Sequence, residues 1–147
     1  MVSEKDKQMI KYKKGYWPQH RRTLITRGVH WAVSHYGLWD LTITSDRLRI
    51  VLTRFKSAYG DAYQDGDEYI IRLSDRYNDR LTLMTVFHEM THVKQYEFDG
   101  LDLGTPSTFK GKAFDVDYWD APWEVEARKA EKKMWRKWKK YLDTTAF

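Results

Sequence analysis

Cysteine is absent from this 147-residue chain. Disulfides, thiolate catalysis and zinc ribbons are therefore excluded, and any metal must be held by His, Asp or Glu. Histidine is sparse too: His20, His30, His35, His88 and His92 are the whole supply. No window approaches the ~20 apolar residues of a membrane-spanning helix, so no membrane role is expected. The Lys-rich stretch from Met1 to Gly15 lacks an apolar run and does not read as a secretory signal. A cytoplasmic location is the expectation, bacterial or otherwise. Repeats, low-complexity tracts and long linkers are also missing. Residues 1–15 are expected to be a loose basic tail, and residues 16–147 a single domain.

What is present is aromatic and charged. Aromatics reach 16%, with seven Trp and ten Tyr, which marks a globular chain despite 32% charged residues. The charge is segregated. Residues 1–58 carry twelve Lys/Arg against four Asp/Glu, residues 59–127 six against fifteen, and residues 128–147 eight against two. An acidic middle suits a divalent cation and a basic substrate segment. The basic termini are candidates for contact with nucleic acid or a DNA-bound protein, although solvated helix surface is the commoner use of such charge.

Local patterns give the element order. Leu24, Ile25, Val29, Ala32, Val33 and Tyr36 recur at helical spacing between Pro18, which fits a first turn, and Gly37, which fits an exit. Gly28 weakens that helix slightly. Strands are predicted at Leu48–Leu52, Ala58–Tyr63 and Glu68–Leu73, with Asp65-Gly66 as a hairpin signal, and Leu41-Thr42-Ile43 is either a short strand or a loop end. Asn78 or Asp79 can cap a helix from about Arg80 to Phe98, ended by Gly100. Residues 100–120 read as a long ordered loop, and a last helix runs from Ala121-Pro122 to about Leu142. The class is α+β: helix, small and mostly antiparallel sheet, central helix, long loop, final helix.

The central helix carries His88-Glu89-Met90-Thr91-His92. Residues four apart share a helix face, so the two imidazoles can grip one zinc ion, and Glu89 can act as base toward water at that metal. A third protein ligand is required. No histidine follows His92, and Gln95 and Phe98 stand where the metzincin pattern needs Gly and His. His30 and His35 lie on or near an amphipathic helix, where core or surface roles are commoner. A downstream carboxylate fits better. Glu124 shares its helix face with Ala127, Glu131, Met134, Trp138 and Leu142, a mainly apolar set, whereas Glu126 lies among lysines. Glu124 is thus placed ahead of Glu126 as third ligand.

These segments resemble the minimal zincins with glutamate as third ligand, the gluzincin-like metallopeptidases that include small phage-encoded and ImmA/IrrE-like groups. The likeness covers roughly residues 40–130, through Ala58–Tyr63 with Glu68–Ser74, Thr85–Tyr96 and Pro122–Ala127. It implies a minimal zincin-like fold, a Zn²⁺ cofactor on His88, His92 and Glu124, Glu89 as general base, and peptide-bond hydrolysis in a protein or peptide substrate. The strand Glu68–Leu73 resembles the edge strand along which zincins align extended substrates. Tyr118 is a candidate donor to the oxyanion, with a packing role beside Trp119 and Trp123 as its alternative. One departure stands out: the family's Asn or Asp just after the alanine is Arg128 here. The competing functional reading is a regulatory, nucleic-acid-associated protein, in which Lys and Arg of the last helix interleave with Trp135, Trp138 and Tyr141 to bind phosphates and stack bases.

Overall fold

A computed structural model describes residues 10–12, 17–42, 46–53 and 59–145. Three helices, a four-stranded sheet and a small hairpin make up the α+β fold. The first helix, α1 (Gln19–Tyr36), begins behind Pro18 and stops at Gly37, whose positive φ of 69° lets its N–H reach the Ser34 and Val33 carbonyls. The second, α2 (Asp79–Phe98), is capped by Asn78, whose side chain accepts the Leu81 N–H. The third, α3, runs from Pro122 to Thr145. Among the described residues no helix is long and apolar enough to cross a membrane.

The main strands are β1 (Ile10–Tyr12), β2 (Leu48–Thr53), β3 (Gly60–Asp65) and β4 (Glu68–Ser74), in the order β1-β2-β4-β3. The expected hairpin forms, pairing β3 antiparallel with β4. The other two pairings, β1 with β2 and β2 with β4, are parallel. The sheet is therefore mixed, where a mostly antiparallel one was expected. Strand composition explains the order. Tyr69, Ile70, Ile71 and Leu73 are all buried, so β4 is apolar on both faces and suits the middle. Polar β3 tolerates an edge. This overturns the assignment of Glu68–Leu73 as the edge strand, since β3 holds that place.

Three further expectations change. Ile10–Tyr12, inside the supposedly loose tail, pairs with Ile50–Leu52; residues 1–9 and 13–16 lie outside the described part. Trp39–Leu41 is a 3-10 turn, and Ile43 and Ala58 lie outside the described residues. The long loop contains a hairpin, β5 (Ser107–Phe109) with β6 (Lys112–Phe114), turned by Lys110 and Gly111 at positive φ of 51° and 79°. Leu101, Phe109, Ala121 and Trp123 give that loop a small core of its own.

The main core joins Ile25, Val29 and Val33 of α1, Val86, Phe87 and Met90 of α2, Ile50, Ile71 and Leu73 of the sheet, and Met134 and Trp138 of α3. At Gly28 the first two helices meet closely: a Cβ there would lie 2.6 Å from Leu83 Cδ2. Polar ties set the position of α2. Tyr36 Oη and Thr91 Oγ1 are 2.7 Å apart, and Tyr69 and Arg47 both donate to Glu97. The helix that carries the pentad is thus tied to α1 on one side and to the sheet on another.

Candidate metal centre

One turn apart on α2, His88 and His92 face the start of α3, which delivers Glu124. One ligand atom from each of these three residues lies within 4.8 Å of the other two. Glu124 Oε1 is 3.4 Å from His88 Nε2 and 2.5 Å from His92 Nε2, and its side chain is buried. Two imidazoles and one carboxylate are a donor set suited to zinc. The residues present can hold a metal ion.

Outer partners orient both rings. His88 Nδ1 lies 3.0 Å from Glu131 Oε1, and His92 Nδ1 lies 2.7 Å from Gln95 Oε1. Both partners accept, so each Nδ1 donates and each Nε2 is turned to the centre, where it can ligate once it gives up the proton it shares with Glu124. Gln95 is itself fixed, donating to the Trp123 carbonyl and to Glu126 Oε1, each at 3.0 Å. Glu126 Oε2 accepts from Lys110 Nζ at 2.8 Å. So Glu126, the alternative ligand, points away from the cluster as expected, half-buried between Lys110 and Lys94, and from there it braces Gln95 behind the site. Sequence reasoning had named neither Glu131 nor Gln95 as a ring partner. The signal was there: Glu131 shares the Glu124 face of α3, and Gln95 lies three residues past His92.

His30 and His35 stay on α1, where His35 stacks on Trp31 with ring centroids 5.1 Å apart. Neither joins the cluster. Arg128, at the departure from the family pattern, donates to the Trp119 carbonyl and lies 3.9 Å above the Trp119 ring. The carboxylate that meets His88 belongs to Glu131, one turn further along α3.

The charges in the cluster hold one another in place. Burial alone would raise the Glu124 carboxyl, but hydrogen bonds from His88 and His92 hold it well below the usual carboxylate range. Burial would lower the proton affinity of His88; hydrogen bonds to Glu124 and Glu131, with the charge of Glu89, reverse this and push it up to about 10. His92 moves in the same direction, chiefly through Glu124. Glu89 is pushed up to about 7 by its burial, against the pull of His92 and His88.

All of this opens on a cleft of about 450 Å³ lined by His88, Glu89, Glu124 and Glu131, by Tyr118, Trp119 and Arg128, and by Tyr59 and Gly60. Gly60 is where β3 comes closest to α2: a Cβ would fall 2.5 Å from the Arg72 carbonyl oxygen and 2.9 Å from Thr85 Cγ2. Tyr118 sits in a 3-10 turn on the cleft wall with 72% of its surface exposed, so the packing alternative is excluded. Burial of its hydroxyl, the Glu124 charge and a hydrogen bond to Glu124 raise its proton affinity.

No protein-family model, curated protein or solved structure matches the chain. The chemistry rests on these residues alone. One consequence is measurable directly. Glu131→Ala is expected to weaken zinc binding about 10- to 100-fold, and Glu131→Gln, which keeps an acceptor, much less. Competition against a chromophoric chelator reads this, and equal affinity in all three proteins would show that His88 needs no such partner.

Proposed function

We propose that this protein is a zinc-dependent metallopeptidase acting on a protein or peptide substrate. The observation that carries the reading is Glu89, a buried carboxyl between two histidines of a His-His-Glu cluster, on the wall of an open cleft. In this reading His88, His92 and Glu124 hold the zinc. When bound, the metal supplies Lewis-acid chemistry, activating water and polarising a carbonyl.

The chain's own residues do the rest. Glu89 takes a proton from the attacking water and hands it to the leaving amine as the C–N bond breaks. Burial supports this by making Glu89 a stronger base than an exposed carboxylate. Tyr118, whose side chain lines the cleft, would donate its hydroxyl to the oxyanion. The outer edge of β3, unpaired among the described residues and beginning at Gly60 beside the cleft, offers backbone pairing to an extended peptide and thus binding with little sequence choice.

The decisive comparison is wild type with Glu89→Gln. Both are expected to carry zinc, and the variant to cleave roughly 10²- to 10⁴-fold more slowly. Cell extracts incubated with each would show fragments produced by wild type only. Zinc-loaded wild type that yields the same fragments as the variant would refute peptidase action, and wild type that takes up no zinc would remove the metal from the reading.

A further inference from the structure

The last helix has a second face that the metal centre does not use. Between Lys129 and Lys140, α3 carries Lys129, Lys132, Lys133, Arg136, Lys137, Lys139 and Lys140, all exposed. At 100° per residue they fall within about 80° either side of Lys129, so they cover one side of the helix. Glu131, the sole acidic residue in this stretch, points away to His88. Among the described residues none of the seven cations is in an ion pair with a carboxylate. Burial, and after it the nearby charges of Lys137 and Lys133, lower the proton affinity of His35 on α1.

We infer that this face of α3 is a docking surface for the phosphate backbone of duplex nucleic acid. The basic stretch spans about 16 Å along the helix, over which a duplex presents an anion roughly every 1.7 Å of its axis. A linear array of cations that no carboxylate of the described residues pairs, on one rigid helix, matches that regular charge.

The aromatic residues decide which polyanion fits. Trp138 is fully buried, Trp135 is half-buried beneath Arg80, and Tyr141, 40% exposed, lies against Trp138 with ring centroids 5.5 Å apart, so the described part of this helix lacks the row of open aromatic faces on which single-strand binding relies. Insertion into a lipid surface needs apolar side chains next to the cations. The apolar side of α3, with Met134 and Trp138, is instead packed in the core. What remains is contact with backbone phosphates, without base readout. The inference is independent of peptidase action, since none of the seven cations lines the cleft.

Fluorescence anisotropy of a labelled duplex of about 20 base pairs, titrated with metal-free full-length protein over a salt series, tests it. Log K is expected to fall with log salt at a slope of about −4 to −6. Lys133→Glu with Lys140→Glu should lose at least ~10-fold in affinity near 0.1 M salt and flatten the slope. Arg76→Glu with Lys112→Glu removes the same net charge from exposed sites elsewhere and should stay within about 3-fold of wild type. Circular dichroism of each variant verifies that it is folded. Equal loss in the two variants would reduce the effect to net charge and overturn the assignment. So would absence of binding at low salt, tighter binding of a single strand, or tighter binding of phosphatidylserine vesicles.

Discussion

His92→Ala is expected to abolish the stoichiometric zinc uptake, one ion per chain, that the proposed function requires of wild type. The imidazole removed is one of only three donors, and its Nε2 lies 2.5 Å from the Glu124 oxygen that shares the centre. Elemental analysis after dialysis reads the content directly. Thermal melts give an orthogonal measure. A ligand that binds only the folded state adds about 4 kcal/mol at a thousand times its Kd, which is about 8–16 °C in Tm for a domain of this size. Wild type should show such a zinc-dependent gain and His92→Ala none. An equal gain in both would place the metal elsewhere. The pH dependence has a definite sign. His88 and His92 bind protons more tightly than free imidazole in the metal-free protein, and a protonated ring cannot ligate. Zinc therefore displaces protons, and its affinity should fall as pH is lowered. Calorimetry in buffers of different ionisation enthalpy would detect the proton release.

The largest stability loss should come from Trp138→Ala. The indole is fully buried at the junction of all three helices, with Trp31 and Phe87 each 6.1 Å away between ring centroids. Emptying such a site costs about 3–5 kcal/mol, because the surroundings collapse only partly. Against a typical total of about 5–15 kcal/mol, that is a large share. Trp138→Phe should be far milder. It shortens the ring but also removes an indole N–H that is buried without a hydrogen-bond partner among the described residues. Urea denaturation of the three proteins separates these effects. A similar loss for Phe and Ala would mean that the shape of the indole, and not the filled volume, holds α3 in place.

Helices proved the most legible part of the chain. Ile25, Val29, Ala32 and Val33 recur at helical spacing and are all buried on α1. Asn78 caps α2 as its side-chain chemistry predicts. The sheet was legible only in pieces. The Asp65-Gly66 signal placed the β3–β4 hairpin correctly, because that pairing is local. The parallel pairing of β2 with β4 was missed, since a strand's neighbour across the sheet is selected by packing on both faces and leaves no mark on its own periodicity. Gly28 shows the same limit. Its local cost to the helix was readable; the near contact with Leu83 that requires it was not.

For the site, the residue inventory was decisive from the start. With no cysteine, and no histidine beyond His92, the third donor had to be a carboxylate or an upstream histidine, and helical spacing alone put two imidazoles on one face. Glu124 was favoured because its neighbours on α3 are apolar, and the fold brings it to the histidines. Only the tertiary structure could retire Glu126 to the bracing of Gln95, give His88 to Glu131 and make β3 the edge beside the cleft. Each of these depends on how α3 crosses α2, or on how strands order across the sheet. Those contacts join residues far apart in the chain, and local periodicity specifies the face of a helix without specifying what that face will meet.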